Sequence, residues 1–324
     1  MERPAVVIAL PLPDEALRRI AAACDVRRLP WPVGRAELRA ALADAEGLLV
    51  SNQVPVDADL LAAAPRLRVL SGFGVGYDLF DVAAASARGV AVCNTPDVLS
   101  DAVADLTLAL ILALARRLFE NAAYAREGWP ARRPPPPLGW DLRGKVLGIV
   151  GMGRIGQAVA RRARAFGMRI LWFDTRPEAG DAAERAASLD ALLAEADAVT
   201  LHVDLNPTTA GLIGERELAR MKPTAVLVNT SRGAVIDQPA LVAALRAGRI
   251  AGAALDVLET EPPAPDDPIL RAPNLIILPH VGSATAETRA AMLDLAIENL
   301  LAVLGGRQPP ACVNPEALPR ALGR

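Results

Sequence analysis

The chain has 324 residues, past the roughly 250–300 at which a single hydrophobic core stops growing, so two lobes are expected. Hydrophobic residues make up 52% and charged residues 22%, the balance of a globular protein. A net charge of −2 excludes the basic excess of a duplex-binding surface, and 3% aromatics are too few for a base-stacking platform.

The basic residues are almost all arginine, with lysine only at Lys145 and Lys222. Cys24, Cys93 and Cys312 are odd in number and lack a CxxC spacing, which argues against a disulfide framework or a zinc site. No metal is expected. The apolar start Ala5–Leu10 runs into Asp14 and Glu15, unlike a signal peptide. Leu106–Ala115 is about half a membrane span. A soluble, cytoplasmic protein is expected, with neither nucleic acid nor membrane as a partner.

Along the chain, short β-branched runs alternate with helical ones, the pattern of an α/β fold with parallel sheets. The first hundred residues predict strands at Ala5–Leu10, Gly47–Ser51, Arg68–Gly72 and Val90–Asn94, with helical stretches such as Ala36–Ala45 between them. Asp101–Arg117 is apolar on nearly every face and is expected to be buried all round, its start capped by Asp97 or Ser100. Pro130–Leu138, with its run Pro134–Pro137, predicts a stiff extended linker. From Lys145 the beat predicts strands at Val146–Val150, Arg169–Asp174, Ala198–Val203, Ala225–Thr230, Gly252–Val257 and Leu275–Pro279, enough for one doubly wound sheet. A last long helix, Thr285–Leu304, stops at Gly305-Gly306. The expected fold class is therefore α/β: two Rossmann-like, doubly wound parallel-sheet lobes with a ligand cleft between them. Residues 100–284 form the dinucleotide-binding domain, and 1–99 with 285–324 a discontinuous substrate domain.

Gly151-Met152-Gly153-Arg154-Ile155-Gly156 is G-x-G-x-x-G between a predicted strand and a predicted helix, and Asp174 ends the next strand 18 residues past Gly156. The first glycine permits the tight turn, the second lets a pyrophosphate approach the backbone, and the third lets helix pack on strand. Asp174 suits the adenosine ribose hydroxyls. There are 2 histidines. His202 lies inside a predicted strand and reads as a packing residue beside the cofactor, with catalysis as the alternative. His280 ends a strand, where doubly wound sheets place ligands. Asn229-Thr230-Ser231-Arg232-Gly233 and Asp256-Val257-Leu258-Glu259-Thr260-Glu261 follow apolar strands and open on the same edge. An arginine, a carboxylate and a histidine converging on a dinucleotide point to hydride transfer. Arginine can grip a 2-oxo carboxylate with a planar fork, histidine can supply a proton, and a neighbouring carboxylate favours a charged imidazole and orients it.

The chain resembles the D-isomer-specific 2-hydroxyacid dehydrogenases over essentially its whole length, most of all the glyoxylate/hydroxypyruvate reductases. The resemblance lies in residues 73–81 (FGVGYDLFD), 94–117, the GMGRIG loop, 221–233 (MKPTAVLVNTSRG), 251–263 (AGAALDVLETEPP) and 278–285 (LPHVGSAT). It implies Arg232 as substrate-binding arginine, Glu261 as the acid paired with histidine (Glu259 competing), and His280 as proton donor. The amides of Val75 and Gly76 are implied to hold the substrate carboxylate, together with Arg232 and His280. Cofactor contacts are implied for the loop Gly151, Gly153, Arg154, Ile155 and Gly156, and for Asp174, Thr209, Thr230, Ser231, Arg232, Asp256 and His280, with Thr107 also lining the site. The implied activity is NAD(P)H-dependent reduction of a small 2-oxo acid, glyoxylate or hydroxypyruvate, to the D-2-hydroxy acid by a homodimer. Asp174 favours NAD(H) over NADP(H), whereas Arg176 could hold a 2′-phosphate. Asp204 departs from the proline that relatives often carry, and the proline-rich loop lacks a clear counterpart. Two other readings stay open: a dehydrogenase for another oxo acid or for 3-phosphoglycerate, and a dinucleotide-sensing corepressor on the same fold.

Overall fold

The strands form where the apolar runs predict them, because a parallel strand covered on both faces must be apolar along its whole length. In the computed structural model, which describes residues 3–176 and 183–323, each of the ten predicted strands is present with ends within two residues of the expected ones. The chain divides into two compact units, residues 1–99 with 285–324 and residues 100–284. No helix among the described residues is long and apolar enough to cross a membrane.

In the first unit the described residues form a five-stranded parallel sheet: β1 (Ala5–Ala9), β2 (Asp25–Arg28), β3 (Gly47–Ser51), β4 (Val69–Phe73) and β5 (Ala91–Cys93), in the order β2-β1-β3-β4-β5. The strand β2 was not expected. Its sequence Asp-Val-Arg-Arg is mostly exposed, and a charged edge strand carries no apolar signal. One face of the sheet packs on Leu38, Leu60 and Leu61, the other on Ile297, Leu300 and Val303 of the helix Ala286–Leu304. That helix starts at Thr285, whose hydroxyl accepts the Thr288 amide at 3.2 Å. It is tied to the sheet where Ser71 Oγ donates to the Ala296 carbonyl at 2.8 Å.

In the second unit the described residues form a seven-stranded parallel sheet: β6 (Val146–Val150), β7 (Arg169–Phe173), β8 (Glu184–Arg185), β9 (Ala198–Leu201), β10 (Val226–Asn229), β11 (Gly252–Leu255) and β12 (Leu275–Ile277). The order is β12-β11-β10-β9-β6-β7-β8, so the direction of winding reverses beside β6. The glycine loop follows β6, at the point where such sheets open a crevice for ligands. The six predicted strands thus gain a seventh, the two-residue edge β8, too short and polar to be read from sequence.

The helix predicted over Asp101–Arg117 runs from Ser100 to Ala115, so Ser100 is its first residue, and it is not buried all round. Ala104, Leu108, Leu110 and Ile111 pack in one apolar cluster with the sheet and the helix Arg154–Ala165. Asp101, Asp105 and Ala109 are exposed, and Leu106 and Leu112 are half-buried. Arg162 ion-pairs with both Asp101 and Asp105 along that rim. The helix covers one face of the sheet, and its far side is left open. Residues 133–142 form neither helix nor strand, in keeping with the proline run.

The free edge of β5 is closed by the C-terminal segment. Val313 N–H donates to the Val92 carbonyl at 2.8 Å, and the buried Asn314 side chain acts as a strand substitute. Its Oδ1 accepts Val92 N–H at 2.7 Å, and its Nδ2 donates to the Val90 carbonyl at 3.0 Å and to Ser86 Oγ at 2.8 Å. Asn314→Ala would orphan a buried amide and a buried carbonyl, at a cost of about 2–4 kcal/mol. Urea denaturation is expected to show that loss as a lower midpoint with an unchanged slope.

Candidate active site

The second unit's sheet sets out its polar residues at the carboxyl ends of β6, β7, β9, β10, β11 and β12. At β6, Gly151 has φ +92°, and a Cβ there would stand 2.7 Å from the His202 carbonyl carbon. A Cβ on Gly156 would overlap the Gly151 carbonyl oxygen, so strand and helix pack directly. Gly153 differs: a Cβ there would meet only Arg176 Nη2, at 3.9 Å. That open space sits at the N-terminus of the helix Arg154–Ala165, where free amides attract an anion. Asp174, 9% exposed, accepts Met152 N–H on Oδ2 and Arg176 N–H on Oδ1, both at 2.9 Å. Burial alone would raise its pKa, but those amides and the Arg176 charge outweigh burial and lower it, so the carboxylate stays ionised. These residues fit a dinucleotide: the loop leaves room for a pyrophosphate and an anionic acceptor stands at the next strand end.

After β10, the fully buried Asn229 shapes the turn. Its Oδ1 accepts Ser231 N–H at 2.9 Å and Ser231 Oγ at 2.8 Å, and its Nδ2 donates to the Arg232 carbonyl at 2.8 Å. Arg232 is half-buried, with Nη1 on the Ser231 carbonyl at 2.8 Å. A Cβ on Gly233 would overlap the Leu258 carbonyl, so only glycine lets this turn lie against the loop after β11. Within that loop Glu261, rather than Glu259, meets His280: Oε2 lies 2.8 Å from Nδ1, and Oε1 accepts Leu258 N–H at 2.9 Å. The two side chains are 29% and 30% exposed for His280 and Glu261. Burial pushes the Glu261 carboxyl up, but the His280 hydrogen bond and charge, the Leu258 amide and the Arg232 charge prevail, and its pKa falls below the ordinary 4.5.

His280 has φ +56°, a conformation a non-glycine residue holds only when its surroundings fix it. Asp256 does so. Its carbonyl accepts His280 N–H at 2.8 Å, and its carboxylate oxygens accept Val281 N–H and Gly282 N–H, each at 2.8 Å. Asp256 is buried, which raises its pKa; the two amides and the His280 charge oppose that rise and the Glu261 charge adds to it.

His202 has a different environment. Nε2 lies 2.9 Å from Thr200 Oγ1, Nδ1 is buried without a partner, and burial lowers the pKa to about 3. A ring that stays neutral through the physiological range is no proton donor. Thr230 Oγ1 lies 3.1 Å from Thr107 Oγ1, which donates to the Val103 carbonyl, so β10 is tied to the long helix. Thr209 Oγ1 donates to the Asp204 carbonyl at 2.6 Å and closes the loop after β9.

In the first unit, the loop after β4 carries Val75 and Gly76. Thr95 N–H donates to the Gly74 carbonyl at 2.9 Å and Asn94 Nδ2 to the Val75 carbonyl at 2.8 Å. These bonds fix the two peptide planes that carry the Val75 and Gly76 amides. Asn229 and Asn94 are the residues whose part sequence reasoning missed. Both stand directly at a strand end, and an asparagine there, before a threonine, was the available signal.

A family model for the D-isomer specific 2-hydroxyacid dehydrogenase NAD-binding domain matches residues 108–282. The chain is 45% identical to a glyoxylate reductase of Korarchaeum cryptofilum, covering 98% of this chain and 97% of that protein. It belongs to the D-isomer specific 2-hydroxyacid dehydrogenase family. It is also 45% identical to glyoxylate/hydroxypyruvate reductase B of Klebsiella pneumoniae, over 97% of this chain and 99% of that one. The crystal structure of an NADPH-dependent glyoxylate/hydroxypyruvate reductase from Sinorhizobium meliloti superposes with a TM-score of 0.87 at 35% identity, covering 98% of each chain. The protein is thus a D-2-hydroxyacid dehydrogenase with an NAD-binding domain, built on two parallel-sheet α/β units.

In this dehydrogenase a carboxyl whose pKa is lowered by folding stabilises the fold above the ordinary glutamate value and loses that contribution as pH falls through the lowered value. The melting-temperature difference between wild type and Glu261→Gln is expected to be largest at neutral pH and to shrink on acidification below 4.5. A calorimetric series across that range checks it.

Proposed function

We propose that this D-2-hydroxyacid dehydrogenase reduces glyoxylate or hydroxypyruvate to the corresponding 2-hydroxy acid, of D configuration where the product is chiral. The observation that carries the reading is the His280–Glu261 pair at 2.8 Å with the Arg232 turn packed against the same loop. The names of the relatives support the substrate class.

A nicotinamide dinucleotide, when bound, supplies the hydride. The glycine loop Gly151–Gly156, with Arg154 and Ile155, would hold its phosphates, Asp174 its ribose, and Thr209, Thr230, Ser231 and Asp256 its remaining polar groups. Arg232 grips the substrate carboxylate and polarises the carbonyl with two parallel N–H donors, a geometry lysine cannot copy. The Val75 and Gly76 amides hold the substrate carboxylate. Glu261 occupies Nδ1 of His280, which leaves Nε2 to hold the proton and release it to the oxygen that becomes the hydroxyl. Asp256 keeps that ring in place by pinning the turn behind it.

For the coenzyme we propose NAD(H) over NADP(H). A 2′-phosphate beside Asp174 would face an ionised carboxylate, and two unit charges about 4 Å apart repel by about 4 kcal/mol at an effective dielectric of 20. Arg176 opposes this choice: its Nε lies 3.6 Å from Asp174 Oδ1, its side chain is 75% exposed, and it could turn to a phosphate. The Sinorhizobium relative is NADPH-dependent. We favour Asp174 because backbone amides on both oxygens fix it.

We also propose a homodimer formed through the second unit. Phe119 (60% exposed) and Leu138 (96%) border one surface groove with Leu114 of the long helix, and Trp129 is 70% exposed. Exposed apolar side chains grouped on one face are what a subunit contact would cover. Sedimentation of wild type against Phe119→Asp is expected to show the dimer and its loss.

The reaction is tested with a panel of 2-oxo acids, each with NADH and NADPH, followed by the absorbance of the reduced nicotinamide. His280→Ala is expected to lower kcat by about 10²–10⁴ while dinucleotide binding changes little. Arg232→Lys is expected to raise KM and lower kcat together. Negligible turnover of every oxo acid with tight dinucleotide binding would overturn the reading. A preference for NADPH that Arg176→Ala abolishes would overturn the coenzyme assignment alone.

A further inference from the structure

Cys93 ends β5, the edge strand of the first unit's sheet, and Cys312 lies on the segment that closes that edge. The Val313–Val92 bond at 2.8 Å aligns the two backbones one residue from each cysteine. Both side chains pack into the same apolar cluster, with Val69, Ile297 and Val303. Cys312 Sγ donates to Asn314 Oδ1 at 3.6 Å, which ties that side chain to the same residue that closes the strand edge. Asn314 holds the register through Val92, Val90 and Ser86, so the juxtaposition does not depend on sulfur.

The two thiols meet different surroundings. Cys93 is fully buried, and Cys312 is half-buried. The neighbouring Cys312 thiol and burial push the Cys93 thiol up. The neighbouring Cys93 thiol lowers Cys312, burial opposing it and the Asn314 amide helping. Cys312 is therefore the sulfur with the lower pKa and the access to solvent, the combination that makes a cysteine reactive. Cys24 joins the same cluster beside β2, but four strand spacings, about 19 Å, separate β2 from β5.

We propose that Cys93 and Cys312 are a peroxide-oxidisable dithiol, a modification site at which the C-terminal segment is reversibly stapled to β5. The Cys312 thiolate attacks a hydroperoxide: the O–O bond breaks, an S–O bond forms, and hydroxide (from hydrogen peroxide) leaves. The Cys93 sulfur then displaces the sulfenic oxygen of Cys312. The S–S bond forms, the S–O bond breaks, and the oxygen departs as water with the Cys93 proton. A small dithiol returns both thiols by exchange. The residue after Cys93 is Asn94, whose amide holds the Val75 carbonyl at 2.8 Å, so the staple anchors the strand end that supports this loop.

The test uses the full chain, reduced, freed of reductant and treated with hydrogen peroxide. Thiols are then counted in denaturant, and digests are examined by mass spectrometry. The count is expected to fall from 3 to one, with a linked Cys93–Cys312 peptide two hydrogens lighter and full recovery with dithiothreitol. In Cys312→Ser, Cys93 is expected to stay reduced, and in Cys93→Ser, Cys312 is expected to proceed to sulfinic acid. Loss of Cys312 alone as sulfinic acid in the wild type, a linkage through Cys24, or no thiol loss where free cysteine is oxidised would each overturn the proposal. The wild-type count stands even if a variant does not fold.

Discussion

The candidate site rests on one buried carboxylate. Asp256 closes the gap between β11 and the turn after β12, accepting the amides of Val281 and Gly282 on its two oxygens. A histidine at φ +56° is a costly conformation, and it holds here because its own N–H is also taken by the Asp256 carbonyl. With the backbone on both sides of His280 fixed, Nδ1 lies 2.8 Å from the Glu261 carboxylate. Burial makes Asp256 costly to ionise, and the two amides repay part of that cost.

Two close approaches bring the other groups to this point. Gly233 lets the turn after β10 lie against the Leu258 carbonyl, which puts the Arg232 charge where it acts on Glu261. Gly151 lets the phosphate-type loop lie against the backbone of His202. A methyl group at either position would overlap backbone at the neighbouring strand end, the Leu258 carbonyl carbon at Gly233 and that of His202, 2.7 Å away, at Gly151. The parallel order of the sheet supplies the shared edge, and these glycines set the spacing on it.

The same chemical groups behave differently according to their partners. Of the two histidines, His280 faces a carboxylate near solvent, whereas His202 packs against a threonine and stays neutral. Glu259 and Glu261 are two residues apart, and only Glu261 turns back to accept Leu258 N–H and meet His280. The three buried or half-buried carboxyls Asp174, Asp256 and Glu261 all suffer burial; backbone amides and neighbouring cations decide the direction of each shift.

Sequence by itself determined the strands whose both faces are covered, because burial demands continuous apolar residues: Val146–Val150 and Gly47–Ser51 appear at their expected limits. It also determined the glycine loop and the polar residues at strand ends, since turn geometry and strand-end position are local properties. Two of the four edge strands were illegible. Asp25–Arg28 and Glu184–Arg185 bury little and carry charge, so no apolar period marks them. The helix Ser100–Ala115 misled for the opposite reason: its apolar residues read as buried, but whether a second surface covers Ala109 and Leu112 is not a property of the helix. Tertiary structure alone decided which glutamate meets His280, which side chain braces the turn behind it, and that Asn314 closes a strand edge more than two hundred residues away in sequence. Those outcomes depend on distances between segments remote in the chain. Such distances are set by packing, which residue spacing along one strand or helix does not encode.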